Sequence, residues 1–251
     1  MTDQAAPLND AANDTLTQVD FTTEELTVLL RLLGATLPQF QPLELTDEER
    51  EAALRALYAR GVITADVEGA FLIDPSAAIL ATAGVQARII VQLDRPAQQI
   101  RDILYVLDGL LLRQSEPMTG IQRFQILDTP FKLVTLFSVA LNIDPERLNA
   151  PNGESLLLTR TEWIALRDAP PSKNYESESL WRALTRPNAV VAMTSIVIQD
   201  GQPQTPKDVL MLGHPDGGYW QVIFEGNAVT AHPLDSVGAI QALINLLSDE
   251  S

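Results

Sequence analysis

Two histidines, His214 and His232, are the side chains best suited to move protons or bind a metal near neutral pH. A metal site would need further histidine or carboxylate ligands at suitable spacing around them, and the sequence offers no such group. Cysteine is absent, which removes disulfides, thiolate metal sites and cysteine nucleophiles. The sequence therefore predicts no metal and no cofactor, with both histidines in loops or at the surface.

The stretch from Gly213 to Gly218, which reads Gly-His-Pro-Asp-Gly-Gly, is rich enough in glycine to suggest a phosphate-binding loop. Such a loop opens a helix, whereas Tyr219 to Phe224 has the composition of a strand, so a hairpin turn is favoured. The nucleophile-elbow, P-loop and zinc-protease motifs are all missing. Carboxylate pairs such as Glu48/Glu49 fall at helix starts, where they favour the helix dipole. The sequence predicts a protein that is not an enzyme.

The net charge of the chain limits the classes of partner that it can bind. Lysine and arginine number 17 against 33 acidic residues, for a formal net charge of −16. This charge disfavours nucleic acid and anionic membrane as partners. No run approaches the roughly 20 apolar residues that span a bilayer, and the first residues lack the pattern of a signal peptide. We expect a cytoplasmic protein that does not bind membranes.

Helix signals mark the first third of the chain. Residues 1–20 lack periodicity and predict a disordered acidic tail. Phe21 to Leu26 and Thr46 to Glu49 each have the pattern of a helix-initiating capping box. A small β-ribbon and a helix predicted over residues 62–86 then make this region resemble a winged helix.

Strand periodicity begins at Arg88 and predicts strands from Arg88 to Leu93, Arg101 to Leu107, Leu110 to Arg113 and Ile121 to Leu127. A helix follows Asp128-Thr-Pro130. Because this helix is apolar over most of its circumference, we expect it to be deeply packed.

The order of elements then repeats. A third capping box, at Leu158 to Trp163, opens a further series of helices, strands and a final helix. The alignment of Ile90 with Ile196 and of Asp102 with Asp208 has a constant offset, since 196 − 90 and 208 − 102 both equal 106. The sequence predicts an internal duplication with a first half over residues 21–143, a joint over 144–155 and a second half over 156–251. The winged-helix-like segment at 62–86 is an insertion in the first half.

The predicted fold class is α+β, with two pseudo-equivalent α/β halves that form a central, mostly antiparallel sheet flanked by helical bundles. Joining the half-sheets edge to edge across a pseudo-twofold axis would cover their strand edges.

Two alternative functions stay open. One is a small-molecule-binding protein or unrecognised enzyme with a pocket between the two halves. The other is a winged-helix regulator that reads DNA through Arg50, Arg55 and Arg60, although four acidic residues offset these three on the same helix.

The layout resembles that of the EspG family, the cytosolic chaperones of mycobacterial ESX (type VII) secretion. The resemblance lies in Phe21-Thr-Thr-Glu-Glu-Leu-Thr-Val-Leu-Leu30, in Ala56-Leu-Tyr-Ala-Arg-Gly-Val-Ile63 with Gly69 and Ile73-Asp-Pro75, in Gly218-Tyr-Trp-Gln-Val222 and in Ala231-His-Pro233. It implies a non-catalytic protein-binding module that keeps a helical secretion substrate, such as a PE–PPE pair, soluble. Such a role requires an exposed apolar patch or groove.

The same resemblance implies that loops at the sheet ends contact the partner. By position these are the loops from Arg95 to Gln99, from Gly201 to Pro206 and from Gly213 to Gly218. The predicted partner-binding residues are Arg95, Pro96, Gln98, Gln202, Gln204, His214 and Asp216. The oligomeric state and the identity of the partner stay open.

Overall fold

The computed structural model describes residues 18–37, 40–66, 69–143, 150–151, 153–168, 170–171 and 175–248. Residues 1–17 of the predicted tail and residues 144–149 and 152 of the predicted joint lie outside the described residues. The elements of the first half are β1 (Gln18–Thr22), α1 (Thr23–Leu33), α2 (Asp47–Ala59), β2 (Ile63–Ala65), β3 (Phe71–Ile73), α3 (Pro75–Gln86), β4 (Ile89–Arg95), β5 (Ile100–Leu107), β6 (Leu110–Met118), β7 (Ile121–Ile126) and α4 (Pro130–Ala140).

The second half follows the same order without a counterpart to the β2–β3–α3 insertion. Its elements are β8 (Leu156–Thr159), α5 (Arg160–Asp168), α6 (Tyr175–Thr185), β9 (Val190–Gln199), β10 (Gln202–Pro203), β11 (Lys207–Gly213), β12 (Tyr219–Glu225), β13 (Ala228–Leu234) and α7 (Ser236–Asn245).

Among the described residues, one 11-stranded antiparallel sheet contains every strand except β2 and β3, which pair with each other. Its strands run in the order β1-β7-β6-β5-β4-β9-β11-β12-β13-β8, with β10 attached to β9. The first five strands belong to the first half, and the last five repeat their arrangement in mirror order. The predicted α+β class with a central antiparallel sheet flanked by helices is confirmed. The shared order agrees with the predicted duplication, which stays a prediction.

Capping boxes start α1 and α5 in the same way. The Thr22 backbone N–H donates to Glu25 at 2.9 Å, and the Glu25 N–H donates back to the Thr22 hydroxyl at 3.1 Å. Thr159 and Glu162 make the same two bonds at 2.7 and 3.2 Å. Each box satisfies N–H groups that a helix start leaves without an intrahelical partner.

A single row of cross-strand partners connects the two edges of the sheet. It runs through Asp20, Arg123, Ser115, Asp102, Leu93, Met193, Val209, Ile223, Thr230 and Leu157. Both ends of the row lie two residues before a capping threonine, Thr22 or Thr159. The row is therefore symmetric about the Leu93–Met193 pair, which joins β4 to β9 at the centre of the sheet.

This row corrects the predicted alignment of the repeats. The offset of 106 matches Ile103 with Val209, but Ile103 packs against α1 to α3 whereas Val209 packs beneath α4 and α7. The row instead matches Asp102 with Val209, one residue further along. It also matches Leu93 with Met193, an offset of 100 (193 − 93), so Ile90 corresponds to Val190 and not to Ile196, which lies six residues further along β9. Because strand side chains alternate between faces, a slip of one residue exchanges the two faces of β5.

Three apolar cores lie against the sheet. On one face, α1, α2 and α3 cover the first half, and α5 and α6 cover the second half. On the opposite face, α4 and α7 meet above the central strands, and Leu93 and Met193 are buried beneath them. The Tyr219 hydroxyl donates to the Leu141 carbonyl at 3.1 Å and so links β12 to the end of α4.

Two sequence-based expectations need correction. The tail prediction extended to Asp20, but Gln18–Asp20 already belong to β1, whose short length and polar residues hid it. The helix α4 is not deeply packed all round, since Leu136, Phe137 and Ala140 are buried while Phe131 and Val139 are 77% and 60% exposed.

The insertion occupies the predicted place, with β2, β3 and α3 between Ile63 and Gln86. Its neighbouring arginines do not form a free basic face. Arg50 pairs with Asp47, Arg55 with Glu51 at 2.8 Å and Arg60 with Glu25 at 2.7 Å. DNA recognition through these residues is therefore disfavoured.

We predict that the two halves unfold together, because the β4–β9 pairing and a shared core join them. Leu93→Ala, in the first half, should lower the free energy of unfolding by about 2–5 kcal/mol. Tryptophan fluorescence reports the second half alone, since Trp163, Trp181 and Trp220 all lie there. In urea, fluorescence and far-ultraviolet circular dichroism should shift together.

Leu72→Ala, on the exposed face of β3, is the matched control and should leave the transition in place. A Leu93→Ala protein whose fluorescence transition stays at the wild-type midpoint would contradict joint unfolding.

Candidate functional site

The loops that the resemblance implicated lie at opposite ends of the sheet. Arg95 closes β4 beside the start of β9, because Asp94 pairs with Ala192, and the end of β11 lies at the same edge, where Leu212 pairs with Val190. The loop after β9 leaves from the other edge. The loop at 96–99 and the loop at 214–218 therefore share one end, and residues 200–206 lie at the other.

The predicted partner-binding residues differ in exposure. Pro96, Gln98, Gln202, Gln204 and Asp216 are exposed. Arg95 and His214 are buried, with 6% and 5% exposure. All seven stay predictions as partner contacts, and the two buried side chains are less accessible to a partner than the five exposed ones.

His214 is enclosed in the hairpin between β11 and β12. Its Nδ1 accepts a hydrogen bond from the Asp216 backbone N–H at 3.1 Å, which places the proton of the neutral ring on Nε2. Among the described residues Nε2 has no hydrogen-bond partner. The ring borders a cavity of about 20 Å³ lined by Tyr175, Glu178, Ser179, Arg182 and Asp216. Burial lowers the pKa of His214, and Arg182 acts in the same direction while Asp216 opposes it.

His232 lies on β13, two strands away from the end of β11 that leads to His214. Its Nδ1 is 2.6 Å from the Ser155 hydroxyl. Within the described residues no group of three or more histidine or acidic side chains could hold a metal ion. In the same part of the chain no helix is long and apolar enough to cross a membrane.

The outer face of α4 is the apolar surface that composition alone did not reveal. Phe131 and Val139 project from it, separated by two helical turns or about 12 Å. One groove, the α4 groove, has a volume of about 310 Å³ and is lined by Arg95, Arg113, Gln125, Leu127, Phe131, Lys132, Thr135, Leu136 and Val139. A second groove, of about 450 Å³, is lined by Phe131, Val134, Thr135, Ser138, Val139, Asn142 and Ile143. Phe131 and Val139 thus form a crest between two grooves.

A buried ion triad forms the floor of the α4 groove. The Asp102 carboxylate, with 0% exposure, accepts from Arg95 NH2 at 2.8 Å and from Arg113 Nε at 2.9 Å. The Arg95 Nε atom has no hydrogen-bond partner among the described residues. Two guanidinium groups thus share one carboxylate, which leaves a local charge of +1 in a chain of net charge −16.

The corresponding positions of the second half carry no charge. In the symmetric cross-strand row, Asp102 corresponds to Val209. Two residues after the row on β4 and β9, Arg95 corresponds to Ser195, and two residues before it on β6 and β12, Arg113 corresponds to Gln221. Val209 is buried, and the Ser195 hydroxyl donates to the Leu246 carbonyl at 3.2 Å. The two halves thus hold one backbone arrangement with different side-chain chemistry.

A larger cavity of about 660 Å³ lies beside α7 in the second half. Its charged lining residues are Arg160, Lys207, Asp208 and Glu225. Arg160 donates to the Gly226 carbonyl at 2.6 Å and stacks over the Phe224 ring at 5.6 Å. The small-molecule alternative predicted a pocket between the halves, whereas this cavity is lined by residues of the second half alone.

No protein-family model matches the chain, and a search of curated proteins finds no match. Among solved structures, the chain is similar to the Mycobacterium tuberculosis type VII secretion system chaperone EspG5, in a structure of its complex with the PE25-PPE41 dimer. The TM-score is 0.62 with 11% sequence identity, over 94% of this chain and 98% of that chain. The resemblance predicted from the sequence is therefore confirmed at the level of the fold.

We predict that Asp102→Val alone lowers the free energy of unfolding by about 3–5 kcal/mol, because Arg95 and Arg113 lose their buried counter-charge. The triple variant Arg95→Ser, Asp102→Val, Arg113→Gln installs the residues of the second half and should be neutral or stabilising. Urea titration of both variants measures the difference. Equal losses in the single and triple variants would show that the triad is required for folding.

We predict that His214 makes stability depend on pH. Since burial lowers its pKa in the folded protein from the ordinary 6.5, the unfolded chain binds the proton first as pH falls. The stabilising contribution is present above pH 6.5 and is lost as pH falls below that value towards the folded pKa. His214→Gln should reduce the slope of the free energy of unfolding against pH between pH 7 and 5, measured by urea titration at each pH.

Proposed function

We propose that this protein is a non-catalytic cytoplasmic chaperone or adaptor that holds a helical protein partner on the α4 surface. The observation that carries the proposal is the exposure of Phe131 and Val139 on a helix whose opposite face is fully packed. Exposed apolar side chains that border grooves on one helix are typical of protein-interaction sites. It fits the requirement for an apolar patch that the sequence analysis set for a chaperone.

The shape of the surface favours a helix as the bound element. An amphipathic helix laid in a groove presents anchors at intervals of three or four residues, over about 12 Å for two turns. The crest from Phe131 to Val139 has this length and is flanked by a groove on each side. A second helix placed along either groove would cover the exposed ring of Phe131.

The shared fold supports the same class of function. The EspG5 chaperone was solved in complex with the PE25-PPE41 dimer, and its fold covers nearly the whole of this chain. We propose a partner of the same general kind, a PE–PPE-like helical pair or another helical substrate of secretion. Oligomerisation of the protein itself is not required by the proposal.

A small-molecule-binding role is the second candidate, and the cavity of about 660 Å³ beside α7 is the observation that favours it. Its volume is in the range of ligand pockets, and it combines apolar walls with charged residues. Arg160, however, already donates to a backbone carbonyl and stacks on Phe224, so fewer polar groups are available to a ligand.

We predict that a photo-crosslinker at position 131 captures the partner in cells of the source organism. Benzoylphenylalanine in place of Phe131 should give one dominant adduct with a small helical protein, identified by mass spectrometry. The same crosslinker in place of Ile164, an exposed apolar residue of α5 on the opposite face, is the control and should not give this adduct.

Phe131→Asp should abolish co-purification of that protein without changing the thermal unfolding midpoint by more than about 2 °C, because the ring is exposed. Adducts of equal yield at positions 131 and 164, or normal co-purification with Phe131→Asp, would contradict a docking role for α4.

A further inference from the structure

The buried triad of Arg95, Asp102 and Arg113 is a feature that packing does not explain. Removing charges from water is costly, and replacing a buried ion network with apolar residues of similar volume is often neutral or stabilising. The second half provides this replacement within the same protein, with Ser195, Val209 and Gln221 at the aligned positions. The fold is therefore compatible with a neutral floor, and the charges of the first half need a different explanation.

The charged side chains that line the α4 groove are Arg95, Arg113 and Lys132. Lys132 pairs with Asp128 at 2.8 Å, and Arg123, on the next strand, forms two bonds with Asp20 at 2.7 and 2.8 Å. Asp102 alone faces both Arg95 and Arg113. Within the lining of the α4 groove, the two guanidinium groups thus share a single carboxylate, and Arg95 Nε has no hydrogen-bond partner among the described residues.

The apolar and cationic parts of the groove meet at one place. Arg95 and Arg113 form its floor, while Phe131, Leu136 and Val139 of α4 form its wall. A ligand that satisfies both parts must carry a carboxylate next to an apolar stripe. On an α-helix this combination occurs when Asp or Glu lies three or four residues from an apolar anchor.

We propose that Arg95 and Arg113 form a carboxylate-binding site, and that it recognises an Asp or Glu side chain on the partner helix docked against α4. This inference rests on the proposed function. Asp102 positions the two guanidinium groups, and the incoming carboxylate provides the second anion that the pair lacks. Arginine suits this task because its planar donors match a carboxylate in a two-bond geometry.

A protein helix is favoured over a free small carboxylate by the form of the surface. The α4 groove and the second groove share Phe131, Thr135 and Val139, so the two grooves lie side by side along one helix. Small-molecule pockets instead enclose most of their ligand. The net charge of the whole chain, −16, opposes the approach of an acidic segment, and a local cationic site offsets this repulsion where it lies.

The test begins with selection of 20-residue helical peptides on phage against the full-length protein. Peptides whose binding is lost with Phe131→Asp are kept, and their dissociation constants are measured by fluorescence polarisation. We expect these peptides to carry Asp or Glu within one turn of their apolar anchors. Replacing that residue by Gln or Asn should weaken binding to the wild-type protein by about tenfold or more.

Variants assign the effect to the triad. Arg113→Gln should weaken the acidic peptide by about tenfold, and the triple variant Arg95→Ser, Asp102→Val, Arg113→Gln should bind the acidic and amide peptides equally. Arg55→Gln removes the same charge from an exposed position on α2 and should leave both affinities unchanged. Comparing the acidic and amide peptides on the wild-type and variant proteins separates the contribution of the carboxylate from that of the overall charge of the chain.

The outcomes distinguish the two proposals. Peptides that need Phe131 but bind equally well as acid and amide would overturn the carboxylate site and leave the docking surface standing. A selection that yields no peptide sensitive to Phe131→Asp would overturn the docking surface and the inference together. Binding of benzoate that is lost with Arg113→Gln, without any such peptide, would assign the site to a small molecule and also overturn the inference.

Discussion

The antiparallel pairing of β4 with β9 is the interaction on which the remaining structure depends. It joins two five-stranded halves into one sheet and places Leu93 against Met193 at the centre. The residues beneath α4 and α7 come from both halves, so these helices can pack together only if the seam holds. The positions of the groove beside α4 and of the cavity beside α7 therefore depend on the β4–β9 pairing in the core beneath these helices.

The symmetry of the backbone makes differences in side-chain chemistry informative. At one pair of aligned positions the first half buries Asp102 and the second half buries Val209. Because the same strand arrangement accepts either residue, a charged floor under α4 is not a requirement of the fold. Buried ionic groups that packing does not require are reasonable places to look for recognition. The same reasoning makes His214 a weaker candidate for recognition, because its position in the hairpin between β11 and β12 is sufficient to account for its burial.

Much of the fold was predictable because its signals are local. The capping boxes at Thr22 and Thr159, the strand periods and the order of elements were all evident in the sequence. The predicted alignment of the repeats differs from the cross-strand row by six residues in β4 and by one in β5. The loop at 200–206 is longer than the loop at 96–99, and sequence similarity does not report which face a side chain occupies. The site was less predictable. Apolar residues around α4 are compatible with burial or with docking, and only tertiary contacts distinguish the two. The pairing of Arg95 and Arg113 with Asp102 likewise depends on strand register.

The acidic charge of the chain and the apolar surface of α4 act together. A protein that exposes Phe131 and Val139 risks association through them, and a net charge of −16 opposes that association between copies of the chain. The same charge repels an acidic partner helix from most of the surface and leaves the α4 groove as the place where its carboxylate meets positive charge. Repulsion elsewhere thus favours one orientation of the partner, and apolar contact with the crest provides most of the affinity.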